Sequence, residues 1–267
     1  MEAMLYNPHQ ELISEEQFNE ATLKSLQNNK EGITEYPVLE FDERALGLLS
    51  SGVEETLKSS KTVPAGGKVY EFFKRLFDII VSLVALIILA IPLLIIALII
   101  FLGDGGNPIF SQVRLTKKGK PFRMYKLRSM CIDAEARFAE VQKGNKSDGL
   151  AFKSDDDPRI TKIGKFIRKT SIDELPQLLN VLKGDMSVIG PRPPLPREVV
   201  LYTPHHMDRL LVKCGLSCIC QTEGRSDMPF EEWVESDIEY IKKRSVGFDL
   251  KLMFKTVTAV LLGKGAK

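Results

Sequence analysis

The feature that most limits how this chain can fold is an apolar run from Leu76 to Leu102, about 27 residues whose one charge is Asp78. As a helix rising about 1.5 Å per residue it is about 40 Å long, enough to span a bilayer core of about 30 Å. At this length the run predicts a membrane segment rather than a buried helix of a soluble domain. Pro92 lies inside it, where the missing N–H removes a helical hydrogen bond and favours a kink. The stretches before and after Pro92 are about 24 and 15 Å long, so neither crosses alone. Lys58, Lys61, Lys68, Lys74 and Arg75 precede the run, and Arg114, Lys117, Lys118 and Lys120 follow it. A crossing helix needs an excess of positive charge on one side. The pattern therefore predicts a re-entrant helix-hairpin, kinked at Pro92, that enters and leaves by the cytoplasmic face. A single span is the alternative.

Outside this run the sequence is ordinary and charged, which the mean hydropathy of −0.05 conceals. The net charge of +2 over 267 residues gives no polyelectrolyte signal, so no nucleic-acid partner is expected. Three of the four cysteines, Cys214, Cys218 and Cys220, sit within seven residues, and no cleavable signal begins the chain. Both points favour reduced thiols over a secreted disulfide framework. A zinc site built from His205, His206, Cys214, Cys218 and Cys220 is an alternative, although the spacing matches no common zinc pattern.

The chain divides into a polar leader (1–67), the re-entrant membrane helix (68–103) and a catalytic domain on the cytosolic face (104–267). The leader carries a capping box at Ser14-Glu15-Glu16-Gln17 before Phe18, Leu23 and Leu26. A second helical pattern places Phe41, Ala45, Leu48, Leu49 and Val53 on one face. Pro64-Ala65-Gly66-Gly67 reads as a linker. The leader is either a poorly ordered segment or one with a partner-binding or regulatory role. Ile109 to Leu115 and Pro121 to Leu127 read as strands around Lys117-Lys118-Gly119-Lys120, a β-hairpin. Helical patterns follow at Asp133 to Gln142 and Leu175 to Leu182. Near the end, Phe254, Val257 and Leu261 share a helix face. Lys251, Lys255, Lys242, Lys243 and Arg244 are candidates to meet anionic lipid headgroups; a core-packing helix is the alternative. The fold class expected is α+β and predominantly helical, with the membrane hairpin, a small β-hairpin and amphipathic interfacial helices.

The chemistry concentrates in Ser171 to Asn180. Pro176 suits a first helical turn and Gly184 a stop. Asp173 and Glu174 then stand at a helix N-terminus, where backbone N–H groups favour negative charge. Taken alone, Asp173 reads as an N-cap and Glu174 as the partner of Ser171 in a capping box. The surroundings change that. Arg168 and its neighbours Lys162, Lys165 and Lys169 come just before, and Lys126 and Arg128 end the second strand. Arg192 is held between Pro191 and Pro193, and arginine suits bidentate contact with phosphate. Carboxylates among cations beside a membrane segment point to an anionic substrate, a diphosphate with a divalent metal.

Five segments in order, Lys74 to Asp78, Tyr125 to Met130, Asp157 to Ile160, Ser171 to Gln177 and Lys183 to Pro194, resemble the bacterial sugar transferase family, the monotopic phosphoglycosyl transferases. The resemblance covers roughly residues 68 to 265. It implies a re-entrant membrane helix and an enzyme at the cytoplasmic face of the bacterial cytoplasmic membrane, against inner-leaflet lipids. It also implies a two-step transfer of a hexose-1-phosphate from a UDP-sugar to undecaprenyl phosphate. In that scheme Asp173 is the nucleophile, UMP leaves, and an aspartyl-phosphosugar is handed to the lipid, starting exopolysaccharide, capsule or other glycoconjugate synthesis. Carried over by position, Glu174 assists metal binding or orientation, and Asp173 and Glu174 hold Mg2+, or Mn2+ in its place. Lys126, Arg168 and Arg192 contact phosphate, while Gln221 and Arg225 lie on the nucleotide side. Downstream glycosyltransferases and a second copy of the chain are candidate partners.

The sequence departs from the family pattern at Cys214, where proline is usual, and at Cys218, where a small residue is usual; Cys220 is a third cysteine in the same stretch. Two other readings compete. One is a catalytically weak membrane-bound assembly or regulatory homologue, against which the intact Asp173, Glu174, Arg168 and Arg192 argue. The other is a phosphohydrolase acting on lipid diphosphates, for which no His-rich metal set is present.

Overall fold

A computed structural model describes residues 5–7, 10–13, 41–134, 136–137, 157–220 and 228–261. In chain order its elements are β1 (Leu5–Asn7), β2 (Gln10–Ile13), α1 (Glu43–Lys58), α2 (Lys68–Asp104), β3 (Ile109–Leu115), β4 (Pro121–Leu127) and α3 (Lys162–Lys169). They continue as α4 (Gln177–Lys183), β5 (Ser187–Ile189), α5 (Pro196–Val199), α6 (Pro204–Met207), β6 (Gly215–Ser217), α7 (Phe230–Lys243) and α8 (Val246–Leu261). The α+β, helix-dominated class is as expected. β3 and β4 form the expected antiparallel hairpin, with Leu115 opposite Pro121 across the lysine turn. The antiparallel pair β1–β2 and the parallel pair β5–β6 were not anticipated. The capping box at Ser14 and most of the helix sought at Asp133 to Gln142 lie outside the described residues.

The apolar run is one helix, α2, of 37 residues with Pro92 inside it, about 55 Å long. Of its most apolar stretch only 6% is buried against the protein. The buried residues of α2 are Tyr70, Lys74, Asp78, Ser82 and Ile100. Toward its start, Lys74 Nζ and Tyr70 Oη each donate to Asp249 Oδ2 of α8 at 2.8 Å. Arg75 donates to the carbonyls of Val181 and Leu182 at the end of α4, at 2.5 and 2.7 Å. Asp78 accepts from the Ser187 hydroxyl at 3.0 Å and the Val188 N–H at 2.9 Å in β5. Toward its other end, Ile100 packs with Leu127 and Ile167, and Asp104 is paired with Arg128. One globular body therefore grips both ends of α2.

The central core gathers Phe122, Met124, Val181, Met186, Ile189, Tyr240, Ile241 and Leu252 from β4, α4, β5, α7 and α8. A second cluster joins α1 to this body: Leu46 and Val53 pack with Leu115, Val199, Leu201, Tyr202 and Leu210. Of the face expected from spacing, Ala45 and Val53 are buried and Phe41 and Leu49 pack partly against the cluster, whereas Leu48 is exposed and Leu46 is buried instead. The Pro64–Gly67 segment is pinned, not loose. Ala65 N–H donates to Ile241 O at 2.9 Å, and Arg244 Nε donates to Ala65 O at 2.8 Å.

Arg244 corrects the sequence reading. It is 5% exposed and paired with Glu71 at 2.6 Å, so it faces the protein and not lipid headgroups. Lys242, Lys243, Lys251 and Lys255 are exposed, as are Phe254 and Val257. The zinc arrangement is not assembled, since His205 contacts Glu235 and His206 contacts Glu231. Cys214 is buried where proline was expected, its carbonyl accepting from Ser187 N–H at 2.8 Å in the β5–β6 pairing.

Asp78→Ala leaves the buried Ser187 hydroxyl and Val188 N–H without their acceptor. We expect it to lower stability by about 2–4 kcal/mol, seen as a lower Tm of the detergent-solubilised protein. Ala at the exposed Leu83 should shift Tm little; equal shifts for the two variants would refute this role for Asp78.

Candidate active site

The site is built where β4, α3 and α4 meet. α3 is capped by Thr161, whose hydroxyl accepts from Gly164 N–H at 2.9 Å. Gly164 is required by closeness: a Cβ there would stand 1.9 Å from Ser129 O. That approach seats α3 against the chain leaving β4 and carries Arg168 toward Asp173. After α3 the chain reverses at Ser171, a non-glycine residue at φ 58°, a left-handed conformation that costs on the order of 1 kcal/mol. A 3-10 turn, Ile172–Glu174, then leads through Pro176 into α4, which ends on Gly184 at φ 93°.

Neither capping role holds. Ser171 makes no side-chain cap bond, and α4 begins after Pro176 without one. Glu174 instead accepts from Lys126 Nζ at 2.7 Å. The pairing is aligned by Asn180, fully buried in α4. Its Nδ2 donates to Arg123 O at 2.7 Å and its Oδ1 accepts from Tyr125 N–H at 3.0 Å. Asn180 thus fixes α4 to the edge of β4, one residue before Lys126.

The two carboxylates are unequal. Burial pushes the Asp173 carboxyl up to about 6; the Glu174 charge adds to the rise, and Lys126 and Arg168 only partly offset it. Burial also works to raise Glu174, but Lys126, then Arg192 and Arg114, outweigh it and hold that carboxyl below its ordinary range. Asp173 is 8% exposed, whereas Glu174 keeps about a quarter of its side chain open.

Asp173, Glu174, Lys126 and Arg168 are thus brought together as the sequence suggested. Arg192 stands exposed on the neighbouring loop, its charge felt at Glu174. Gln221 and Arg225 lie outside the described residues. Arg128, the other cation of its segment, turns away to Asp104. The sequence reading missed Arg114, a buried strand residue that donates to Pro193 O at 3.0 Å and acts on Glu174. An arginine among apolar residues of a predicted strand was the available signal. Lys126, Arg168 and Asp173 also each adjoin a residue packed on the far half of α2. Leu127, Ile167 and Ile172 lie in the cluster with Ile100, Ile96 and Leu93.

Among the described residues no group of three or more His, Cys, Asp and Glu could hold a metal. Asp173 and Glu174 offer two hard oxygen donors. Such a pair suits Mg2+, which keeps several waters and is commonly completed by substrate phosphates rather than by a full protein cage.

Residues 69–263 match the family described as bacterial sugar transferase. The chain is 44% identical over 223 residues to the galactosyl transferase CpsE of Streptococcus agalactiae serotype III, covering 80% of this chain and 48% of that one. It is 41% identical over 202 residues to the undecaprenyl-phosphate galactose phosphotransferase of Salmonella typhimurium, covering 73% and 42%. With the exopolysaccharide production protein ExoY of Sinorhizobium fredii it shares 34% identity over 207 residues, 76% of this chain and 90% of that one. The chain spans about half the length of the first two relatives. The match over most of the chain, with Asp173 and Glu174 inside it, makes this protein a member of the bacterial sugar transferase family.

Proposed function

We propose that the chain is a phosphoglycosyl transferase that moves a hexose-1-phosphate from a UDP-sugar to undecaprenyl phosphate at the cytoplasmic face of the membrane. The observation that carries this reading is the unequal carboxylate pair: Glu174 is neutralised by Lys126, while Asp173 is buried and only partly compensated. In the first step an Asp173 carboxylate oxygen attacks the sugar-bearing phosphorus. The bond from that phosphorus to the UMP oxygen breaks, UMP leaves with the electron pair, and a phosphosugar remains on Asp173. In the second step an oxygen of undecaprenyl phosphate attacks the same phosphorus. The Asp173–phosphorus bond breaks and the carboxylate is restored. No base is needed, because Asp173 is ionised above about pH 6.

The obstacle is repulsion between carboxylate and diphosphate. Lys126, Arg168, Arg192 and Arg114 place four positive charges around it. When bound by Asp173 and Glu174, Mg2+ would further neutralise the phosphate oxygens. Burial of the nucleophile also limits competition from water.

The membrane arrangement follows from α2. The same body grips Lys74, Arg75 and Asp78 before the apolar stretch and Ile100 and Asp104 after it. A helix crossing the bilayer would separate those two ends, so their common partner supports a re-entrant course with the bend at Pro92. The exposed Leu83, Ile87, Ile88, Ile91 and Leu94 then lie in the lipid.

Three outcomes test this. Purified protein with Mg2+, undecaprenyl phosphate and radiolabelled UDP-galactose or UDP-N-acetylgalactosamine should give labelled lipid, and Asp173→Asn should abolish it. Label transfer that persists in the variant removes Asp173 as nucleophile, and release of sugar phosphate without lipid product would indicate a hydrolase.

Asp173 should also carry a stability cost. Its folded pKa of about 6 exceeds the ordinary 3.8, so the folded state loses stability as pH rises from about 4 to about 6. The loss is roughly 2–3 kcal/mol. In EDTA, Asp173→Asn should therefore unfold at higher temperature than the wild type at pH 7.5, with the difference shrinking toward pH 4. A lower Tm for the variant at pH 7.5 contradicts this.

For topology, single cysteines at Lys68 and Asn107, in a background with Cys131 replaced by serine, should both resist an impermeant thiol reagent applied from outside spheroplasts. Labelling of one and not the other would indicate a crossing helix.

A further inference from the structure

Arg192 poses a problem that its prolines do not solve. Its backbone is fixed, because Gly215 N–H donates to Pro191 O at 2.8 Å and Arg114 donates to Pro193 O at 3.0 Å. Its side chain is long, exposed and without an ion-pair partner among the described residues. A guanidinium in that state samples many rotamers, and each must be given up when phosphate binds.

The structure supplies a holder. The Arg192 guanidinium carbon lies 5.3 Å from the centre of the Trp233 ring, in the first turn of α7, within the range of a cation–π contact. Trp233 is itself held. The same ring lies 5.1 Å from the guanidinium carbon of Arg209. Arg209 is 3% exposed and bonded to Asp237 by Nε at 2.8 Å and Nη2 at 2.6 Å, and to the Tyr202 hydroxyl by Nη1 at 2.8 Å. Phe230 packs on the Trp233 edge at 6.4 Å. The two arginines are therefore not equivalent. Arg209 is neutralised by a buried carboxylate and fixes the ring, whereas Arg192 is exposed, has no ion-pair partner among the described residues, and lowers the Glu174 carboxyl through its charge.

We propose that Trp233 is a positioning residue for donor recognition: its ring, anchored by Arg209, Asp237 and Tyr202, holds the Arg192 guanidinium ready for the diphosphate of the nucleotide sugar. The role rests on the transfer reaction proposed above. A cation–π contact of this kind has a limited reach, so its loss should weaken donor binding about fivefold to thirtyfold.

The chain has one tryptophan, so its emission reports on this contact directly. The test compares wild type with W233L, W233F, R192A and the W233L/R192A double variant. W233L should raise KM for the UDP-sugar about fivefold to thirtyfold, with kcat within about twofold and KM for undecaprenyl phosphate unchanged. W233F should recover most of the loss. In R192A, adding W233L should change nothing further. Independently of turnover, R192A should alter Trp233 emission without substrate. UDP should shift emission in wild type and not in R192A. Effects of W233L and R192A that multiply, or an emission indifferent to R192A, would overturn the proposal. If wild type transfers no sugar phosphate, the transfer reading fails, and the emission of R192A still decides whether Trp233 holds Arg192.

Discussion

The structure depends on one long apolar helix being held at both ends by a single body. Most of its apolar surface is left uncovered, and the grip comes from polar groups near its start together with the apolar cluster around Ile100 and the Asp104–Arg128 pair at its far end. Lys74 and Asp249 are both nearly buried, and a buried charge is tolerated only with a partner. Arg75 adds the last carbonyls of α4, which a helix leaves unsatisfied. Asp78 adds the start of β5, and Asp104 holds Arg128 just beyond β4. Four elements of the body thus take their position from α2. Two of them, β4 and α4, carry or directly follow the site residues.

This explains why the site can afford an unfavourable group. Glu174 is matched to Lys126 by a register that Asn180 enforces between α4 and β4. Asp173, one residue earlier on a tight turn entered through a left-handed Ser171, forms no ion pair with a described residue. Its carboxyl remains desolvated, and the fold carries the strain of both the backbone and the charge. Buried charges that are only partly compensated cluster where chemistry is done. The pair would serve structure better as two satisfied caps, which is how the isolated sequence motif reads.

Local features were legible in the sequence. Two strand-like segments flanking a lysine–glycine turn marked the β-hairpin to the residue, and Pro176 and Gly184 bounded α4 closely. The cluster of Asp173, Glu174, Lys126 and Arg168 was legible as a set of charges beside an apolar run. What escaped depends on contacts distant in sequence. Arg244 lies in a basic run that looks like a solvated face, yet it is buried because Glu71 and Ala65 happen to meet it. Arg114 reads as a surface strand residue until the Pro191–Pro194 loop folds over it. The parallel pairing of β5 with β6 joins two three-residue strands too short to carry a pattern. Trp233 gives no sign of its neighbours Arg192 and Arg209, which lie 41 and 24 positions away.

The packing of the site residues bears on how a lipid substrate is reached. Lys126 precedes Leu127, Arg168 follows Ile167 and Asp173 follows Ile172, and all three apolar neighbours lie in the cluster around Ile100. Consecutive Cα atoms are about 3.8 Å apart, so each charged group is fixed one residue from the surface that seats the far half of α2. On a re-entrant course, that half of the helix returns to the headgroup level where Asp104 and Arg128 meet. A polyprenyl phosphate lying in the bilayer presents its phosphate at that same level. Under the proposed transfer the second step then needs no extraction of the lipid: the pairing of one apolar with one charged residue, repeated on three segments, ties Asp173, Lys126 and Arg168 to the far half of α2, the level at which that reading puts the acceptor phosphate.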